Sequence, residues 1–163
     1  MYVLIRESSV AHFLEENLRV VTEVNPEVSR RVSFCTDDVI ATDILSKGHL
    51  DNLVRMAIKK GVDPIKAIQM GSINSAEAYR IDHLVGSISP GKIADILFVD
   101  DPESFQVKKV MTDGELVAQD HRIINELKAP KRSPSLLNTM KGKKVEAKDF
   151  LVQAPEGQNE VTV

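Results

Sequence analysis

What most constrains the fold of this chain is a change of rhythm near Ser87. Up to that point apolar strands alternate with amphipathic helices, the pattern of a parallel α/β layer. Beyond it strand signals follow one another across tight turns, the pattern of an antiparallel sheet. Tyr2 to Arg6 reads as a buried strand, and Ser8 or Ser9 can cap a helix whose Val10, Phe13, Leu14, Leu18 and Val21 share one face. After a loop at Asn25 and Pro26, Arg31 to Thr36 reads as a second strand that ends in Asp37 and Asp38. Leu50, Leu53, Val54, Ala57 and Ile58 then recur at helical spacing up to a stop at Gly61. Asp63-Pro64 starts a further helix with Ile65 and Ile68 on its buried side, because a carboxylate caps free amides and proline suits the first helical position. A short helix is expected over Asn74 to Arg80. Then Ser89-Pro90-Gly91-Lys92 forms a turn and Ile93 to Val99 a strand, and Val107 to Met111 and Leu116 to Ala118 flank Asp113-Gly114 as a hairpin.

The first strand has no cap, turn or polar lead-in before it, so the chain is expected to begin inside a domain. Lys128 to Ser135, with its prolines and basic side chains, reads as a linker, and the short apolar pieces after Val145 as the start of another domain. Apolar residues make up 42% and charged residues 28%, the balance of a globular chain. No apolar run nears the roughly 20 residues of a membrane span, and the start lacks the basic flank and cleavage site of a signal peptide. A cytoplasmic protein with no membrane partner is expected. The net charge of -3 provides no broad basic field for nucleic acid. Lys141, Lys143 and Lys144, with Lys128, Lys131 and Arg132 upstream, read as solvated surface. Cys35 is the single cysteine and cannot form an internal disulfide.

Side chains suited to chemistry are few. Asp37 and Asp38 directly follow an apolar strand, and in a parallel barrel the carboxyl ends of strands form the active-site face. A carboxylate there can bind Zn, Mn or Fe and accept a proton from the water that the ion activates. The same aspartates also suit a loop or helix cap. Arg6 and Glu7, ending the first strand, read either as a substrate-facing pair or as an internal ion pair. None of the 4 histidines has the spacing that brings two imidazoles to one ion. His49, at a helix start, can donate a hydrogen bond to a nearby carboxylate. Water activation by a metal needs several protein ligands, and here one credible ligand is visible.

Read together, Ile5-Arg6-Glu7-Ser8-Ser9-Val10-Ala11, Cys35-Thr36-Asp37-Asp38, Gly48-His49-Leu50-Asp51, Gly61-Val62-Asp63-Pro64 and Asn74-Ser75-Ala76-Glu77 resemble the adenine deaminase family. Gly86-Ser87-Ile88 with Pro90-Gly91-Lys92-Ile93-Ala94-Asp95-Ile96 resembles a segment common to many amidohydrolases, where the chain leaves the barrel for a composite β-sandwich. Gly71-Ser72 departs from the family's more usual alanine and threonine. The resemblance implies an α/β fold in three parts: the C-terminal portion of a metal-dependent hydrolase TIM barrel over 1–86, strands of the composite β-sandwich over 87–127, and a linker with the start of a further C-terminal domain over 128–163.

It further implies hydrolysis of adenine to hypoxanthine and ammonia by a metal-activated hydroxide. The divalent metal, Mn or Fe before Zn, would be bound only in the complete enzyme. Asp37, matching the eighth-strand aspartate, would be both catalytic residue and metal ligand; Arg6 and Glu7 would bind substrate, and Asp38 and His49 would support the ligand set. The remaining histidine ligands and the glutamate that handles protons at the purine ring are expected upstream of Met1 or on a partner chain. The chain alone would then be inactive, and the complete enzyme a homo-oligomer in purine salvage. A non-catalytic assembly or regulatory module derived from an amidohydrolase is the competing expectation. An amidohydrolase acting on cyclic amides is a third, against which the Arg6-Glu7 and Gly48 to Asp51 blocks argue.

Overall fold

Two apolar strands, Val3–Arg6 (β1) and Val32–Cys35 (β2), run parallel, with Ile5 opposite Phe34 and Arg6 opposite Cys35. The computed structural model describes residues 1–124, 133–136, 139–152 and 156–157, and the chain divides into two units, Met1–Glu126 and Leu127–Val163. Because side chains alternate along a strand, Ile5, Val32 and Phe34 enter a core with Leu14, Leu18, Leu53, Val54 and Ala57. Leu4, Arg6 and Cys35 take the opposite face, where Leu4 is 45% exposed. The reading of β1 as a buried strand thus holds for Ile5 but not for Val3 or Leu4.

The connection from β1 to β2 runs through Leu14–Arg19 (α1), a π-helical turn Val20–Val24 and a 3-10 helix Pro26–Arg31. Neither Ser8 nor Ser9 starts α1. The Ser8 hydroxyl instead accepts the Ala11 amide at 3.1 Å, closing a turn that spends the residues expected in the first helical turn. Val10 and Phe13 therefore stay out of the core, at 80% and 46% exposure.

Four helices follow β2: Ala41–Lys47 (α2), Leu50–Lys59 (α3), Pro64–Met70 (α4) and Ile73–Ala78 (α5). The apolar stripe expected of α3 is buried at Leu53, Val54 and Ala57. Asp63 caps α4, accepting the Lys66 amide at 3.1 Å ahead of Pro64. The buried side of α4 is Ala67 and Met70, whereas Ile65 is 55% exposed. At about 100° per residue, Ile65 lies roughly 200° around the helix from Ala67 and points away from the core. Nothing in the sequence reading anticipated α2, which buries none of its residues.

Four short strands, Ile96–Val99 (β3), Val107–Thr112 (β4), Glu115–Gln119 (β5) and Arg122–Ile123 (β6), form a separate antiparallel sheet in sequence order. Asp113 and Gly114 join β4 to β5 with φ of 50° and 81°, the left-handed pair that a tight hairpin demands. Strand pairing starts at Ile96 rather than Ile93, because the Ile93 amide donates to the Leu84 carbonyl at 2.8 Å. Phe105 is buried in the same core as the parallel pair, and Val99 packs against it.

In Leu127–Val163 the described residues include two 3-10 turns, Pro134–Leu136 and Ala147–Phe150. The second is capped reciprocally, with Asp149 accepting the Glu146 amide at 2.9 Å. Lys141, Lys143 and Lys144 are exposed, whereas Lys128, Lys131 and Arg132, with most of the expected linker, lie outside the described residues. Among the described residues no helix is long and apolar enough to cross a membrane.

Candidate functional site

At the carboxyl ends of β1 and β2 the alternation of side chains separates two neighbours. Glu7 extends the parallel ladder by donating its amide to the Cys35 carbonyl at 3.1 Å. Its side chain turns toward the helices, while Arg6 points to the open face. Beyond Cys35 the backbone turns through Asp37, which sits in the left-handed region at φ 51°. The Arg6 guanidinium donates from Nη1 to Asp37 Oδ2 and lies 5.5 Å from the centroid of the Phe13 ring. The two charged side chains are 43% and 35% exposed, so water screens most of their attraction, and the contact matters for geometry rather than for stability.

Glu7 has a different role. Its side chain is 11% exposed; Oε1 is 2.6 Å from His12 Nδ1, and Oε2 accepts the Leu14 amide at 3.0 Å. Leu14 is the first residue of α1, so Glu7 supplies the cap that Ser8 and Ser9 do not. Arg6 and Glu7 do not pair with each other: each has found a partner on its own side of the strand.

Ser9 links the loops that follow the two strands. Its amide donates to the Asp38 carbonyl at 3.0 Å, and its hydroxyl donates to Asp43 Oδ2 at 2.7 Å while accepting the Ile40 amide at 3.0 Å. The Ser9 hydroxyl, then Lys47 at 3.0 Å, hold the Asp43 carboxyl below the ordinary aspartate range. Asp38 takes part in this contact through its backbone, and its residue is exposed. His49 occupies the N-cap position of α3 and is exposed. Its amide donates to Asp51 Oδ1 at 2.8 Å, and among the described residues its ring makes no hydrogen bond.

The candidates therefore fall in two places. Glu7, His12, Asp43, Lys47 and His49 line a cavity of about 310 Å³ between the strand-end loops, α2 and α3. Arg6 and Asp37 are not among its lining residues and meet on the open face of the strands. Phe13, Ser9 and Asp43 were not picked out from the sequence as site residues. Nothing local marks them, since each acts through a partner on another element.

Asp37 alone does not make a metal centre. Among the described residues no three His, Cys, Asp or Glu side chains converge as a metal site requires. With Oδ2 engaged by Arg6, Asp37 can offer its Oδ1 to a cation as one oxygen donor of a larger set.

The chain matches the amidohydrolase family over residues 4–117. It is 65% identical to adenine deaminase 1 of Desulfotalea psychrophila over 163 residues, which is 99% of this chain and 27% of that protein. It is 55% identical to adenine deaminase 4 of Rhizobium meliloti over 93% of this chain and 25% of that protein. Adenine deaminase 1 of Latilactobacillus sakei is also 55% identical, over 99% of this chain and 27% of that protein. The chain thus spans about a quarter of the length of the curated relatives it matches. Among solved structures, a β-aspartyl dipeptidase from Fervidobacterium islandicum AW-1 shares the fold at a TM-score of 0.58 and 18% identity, covering 77% of this chain and 35% of that one. Since the family match opens inside β1 and closes inside β5, taking in the parallel strands, the helices after them and the hairpin, this chain belongs to the amidohydrolase family.

Proposed function

We propose that this chain is the C-terminal portion of an adenine deaminase, which hydrolyses adenine to hypoxanthine and ammonia once the rest of the barrel is present. The observation that carries this reading is the 65% identity, over 99% of the chain, to a curated protein of that name. On this reading residues 1–86 are the last strands and helices of a TIM barrel, 87–127 are strands of a composite β-sandwich, and 128–163 open a further domain. The parallel pair, the separate sheet and the second unit are the features that support it. The complete enzyme would be a cytoplasmic homo-oligomer of purine salvage.

A divalent metal, Mn or Fe before Zn, would supply the Lewis acid that makes water nucleophilic at neutral pH. Asp37 would hold it through one oxygen and take up a proton from the attacking water, and the other ligands would come from outside this chain. Arg6 stands beside Asp37 on the face from which adenine would approach. Glu7, turned to the helix layer, would act on substrate binding through the loop that it fixes. Asp38 and His49 would support the strand-end loops around Asp37.

The test is adenine turnover with added Mn, Fe or Zn, by the full-length enzyme and by its Asp37→Ala and Asp38→Ala forms. Asp37→Ala should lower turnover by about 10³-fold or more, as loss of a ligand and a proton acceptor demands, and Asp38→Ala far less. A fully active Asp37→Ala enzyme would overturn the assignment. If the unsubstituted full-length enzyme leaves adenine untouched, the assembly-module reading takes its place.

A further inference from the structure

We infer that Arg6 is a positioning residue, clamped between Phe13 and Asp37, whose work is to fix the Asp37 carboxylate rather than to bind substrate. The inference rests on the reading of Asp37 as the site carboxylate.

Asp37 stands at a turn of the backbone. At φ 51° it lies where a non-glycine residue is uncommon, just past the last paired residue of β2, so strand pairing does not fix its side chain. What reaches it comes from the neighbouring strand. Arg6 pairs in register with Cys35, two residues before Asp37, and from there its Nη1 reaches across the strand ends to bond Oδ2. A flexible arginine making one exposed bond would hold its partner poorly. Here the guanidinium also lies over the Phe13 ring, 5.5 Å from its centroid. A planar cation lying over an aromatic ring while bonding a carboxylate loses two of its freedoms at once.

The same arrangement accounts for Phe13. It is 46% exposed, although the helical pattern of its segment placed it in the core. The Ser8 turn and the Glu7 cap delay the start of α1 to Leu14 and leave Phe13 at the N-cap position, where its ring meets Arg6. Three residues from β1, the loop before α1 and the end of β2 thus form one chain of contacts ending on a single carboxylate oxygen. Such a support leaves Oδ1 for a cation and holds it in one direction.

Partners that orient a ligating carboxylate typically contribute about 10–100-fold to metal affinity or turnover. The experiment compares Arg6→Ala, Arg6→Lys, Phe13→Ala, Phe13→Tyr and the double variant Arg6→Ala/Phe13→Ala in the full-length enzyme. Two readouts are taken: kcat and KM for adenine, and Mn retained after dialysis, which does not depend on the substrate. Positioning predicts that Arg6→Ala lowers kcat and Mn retention about 10–100-fold with KM within about threefold. Phe13→Ala should shift both readouts the same way by a smaller factor, Phe13→Tyr should restore them, and Arg6→Lys should recover them only in part. The double variant should be no worse than Arg6→Ala, since both substitutions remove one clamp. A raised KM with normal kcat and normal Mn retention in Arg6→Ala would overturn the inference and make Arg6 a substrate contact. Additive losses in the double variant would overturn the role of Phe13. If wild type binds Mn but does not deaminate adenine, the proposed function fails, while the Mn readout still decides the clamp.

Discussion

The buried carboxamide of Asn74 donates to the Val32 carbonyl at 2.7 Å, tying α5 to the first residue of β2. The same nitrogen donates to the Ser29 carbonyl at 2.8 Å, and the Asn74 carbonyl oxygen accepts from Arg30 at 3.2 Å. The amino end of β2 is thus locked by one fully buried side chain, at the end of the strand opposite Asp37.

Asn74→Ala should therefore be costly without touching the site. It removes this donor from the buried Val32 carbonyl, at about 1–3 kcal/mol if that group is left unsatisfied, whereas the Ser29 carbonyl still accepts the Val32 amide. Asn74→Asp should be worse, because it sets a carboxylate against two carbonyl oxygens. Thermal denaturation of the full-length protein should place both variants below wild type, in that order, and any variant that folds should keep its KM for adenine.

Glu77 completes that lock and gives it a pH dependence. The hydrogen bond from Arg30, then that from the Tyr2 hydroxyl, with the charges of Arg30 and Arg31, bring its carboxyl from 4.5 down to about 2. A carboxyl with a lowered folded value binds fewer protons folded than unfolded, so stability rises with pH between the two values. The contribution should be complete above about pH 5 and lost as pH falls through the window from 4.5 to about 2. Melting curves of wild type and Glu77→Gln should differ most near neutral pH and converge at the acid end. A gap that widens in acid would refute the account.

How legible these features were depends on how local they are. Asp63-Pro64 and Asp113-Gly114 could be read from the chain because cap and turn chemistry act within a few residues. The parallel pair was legible because Ile5 and Phe34 belong to short apolar runs bounded by polar residues. The start of α1 was not, because its cap is Glu7, across a loop closed by Ser8. Nor was α2, which buries no residue and is held by the long-range bond between Ser9 and Asp43. Asp37 was conspicuous at its strand end, but the clamp around it was not, since Arg6, Phe13 and Asp37 meet only in the fold.

Two glycines with the same backbone angle should tolerate alanine differently. Gly86 and Gly61 both have φ of 92°. An added Cβ on Gly86 would lie 2.7 Å from the Ala76 Cβ and 3.1 Å from the Ile73 Cα, whereas on Gly61 it would meet nothing within 4 Å. Gly61→Ala should cost about 1–2 kcal/mol for the left-handed backbone alone. Gly86→Ala should add about 1–3 kcal/mol for displacing α5, giving a clearly lower melting temperature than Gly61→Ala. Equal melting temperatures would refute the close approach of Gly86 to α5.

In the isolated chain, metal affinity should be weak. A metal site draws its affinity from several preorganised donors, and a single carboxylate in water competes poorly with the ion's own hydration. Among the described residues Asp37 stands without two further donors, and its Oδ2 is engaged by Arg6. The isolated 163-residue chain should therefore bind Mn, Fe or Zn no more tightly than other surface carboxylates do, and should not deaminate adenine. Asp37→Ala should change neither result in the isolated chain, although in the full-length enzyme the same substitution should remove both metal and turnover. Calorimetric titration with Mn, alongside adenine consumption followed by absorbance, distinguishes the two settings. Tight, stoichiometric Mn binding by the isolated chain that survives Asp37→Ala would mean that its donors lie elsewhere, and adenine turnover by the isolated chain would mean that no residues outside it are needed.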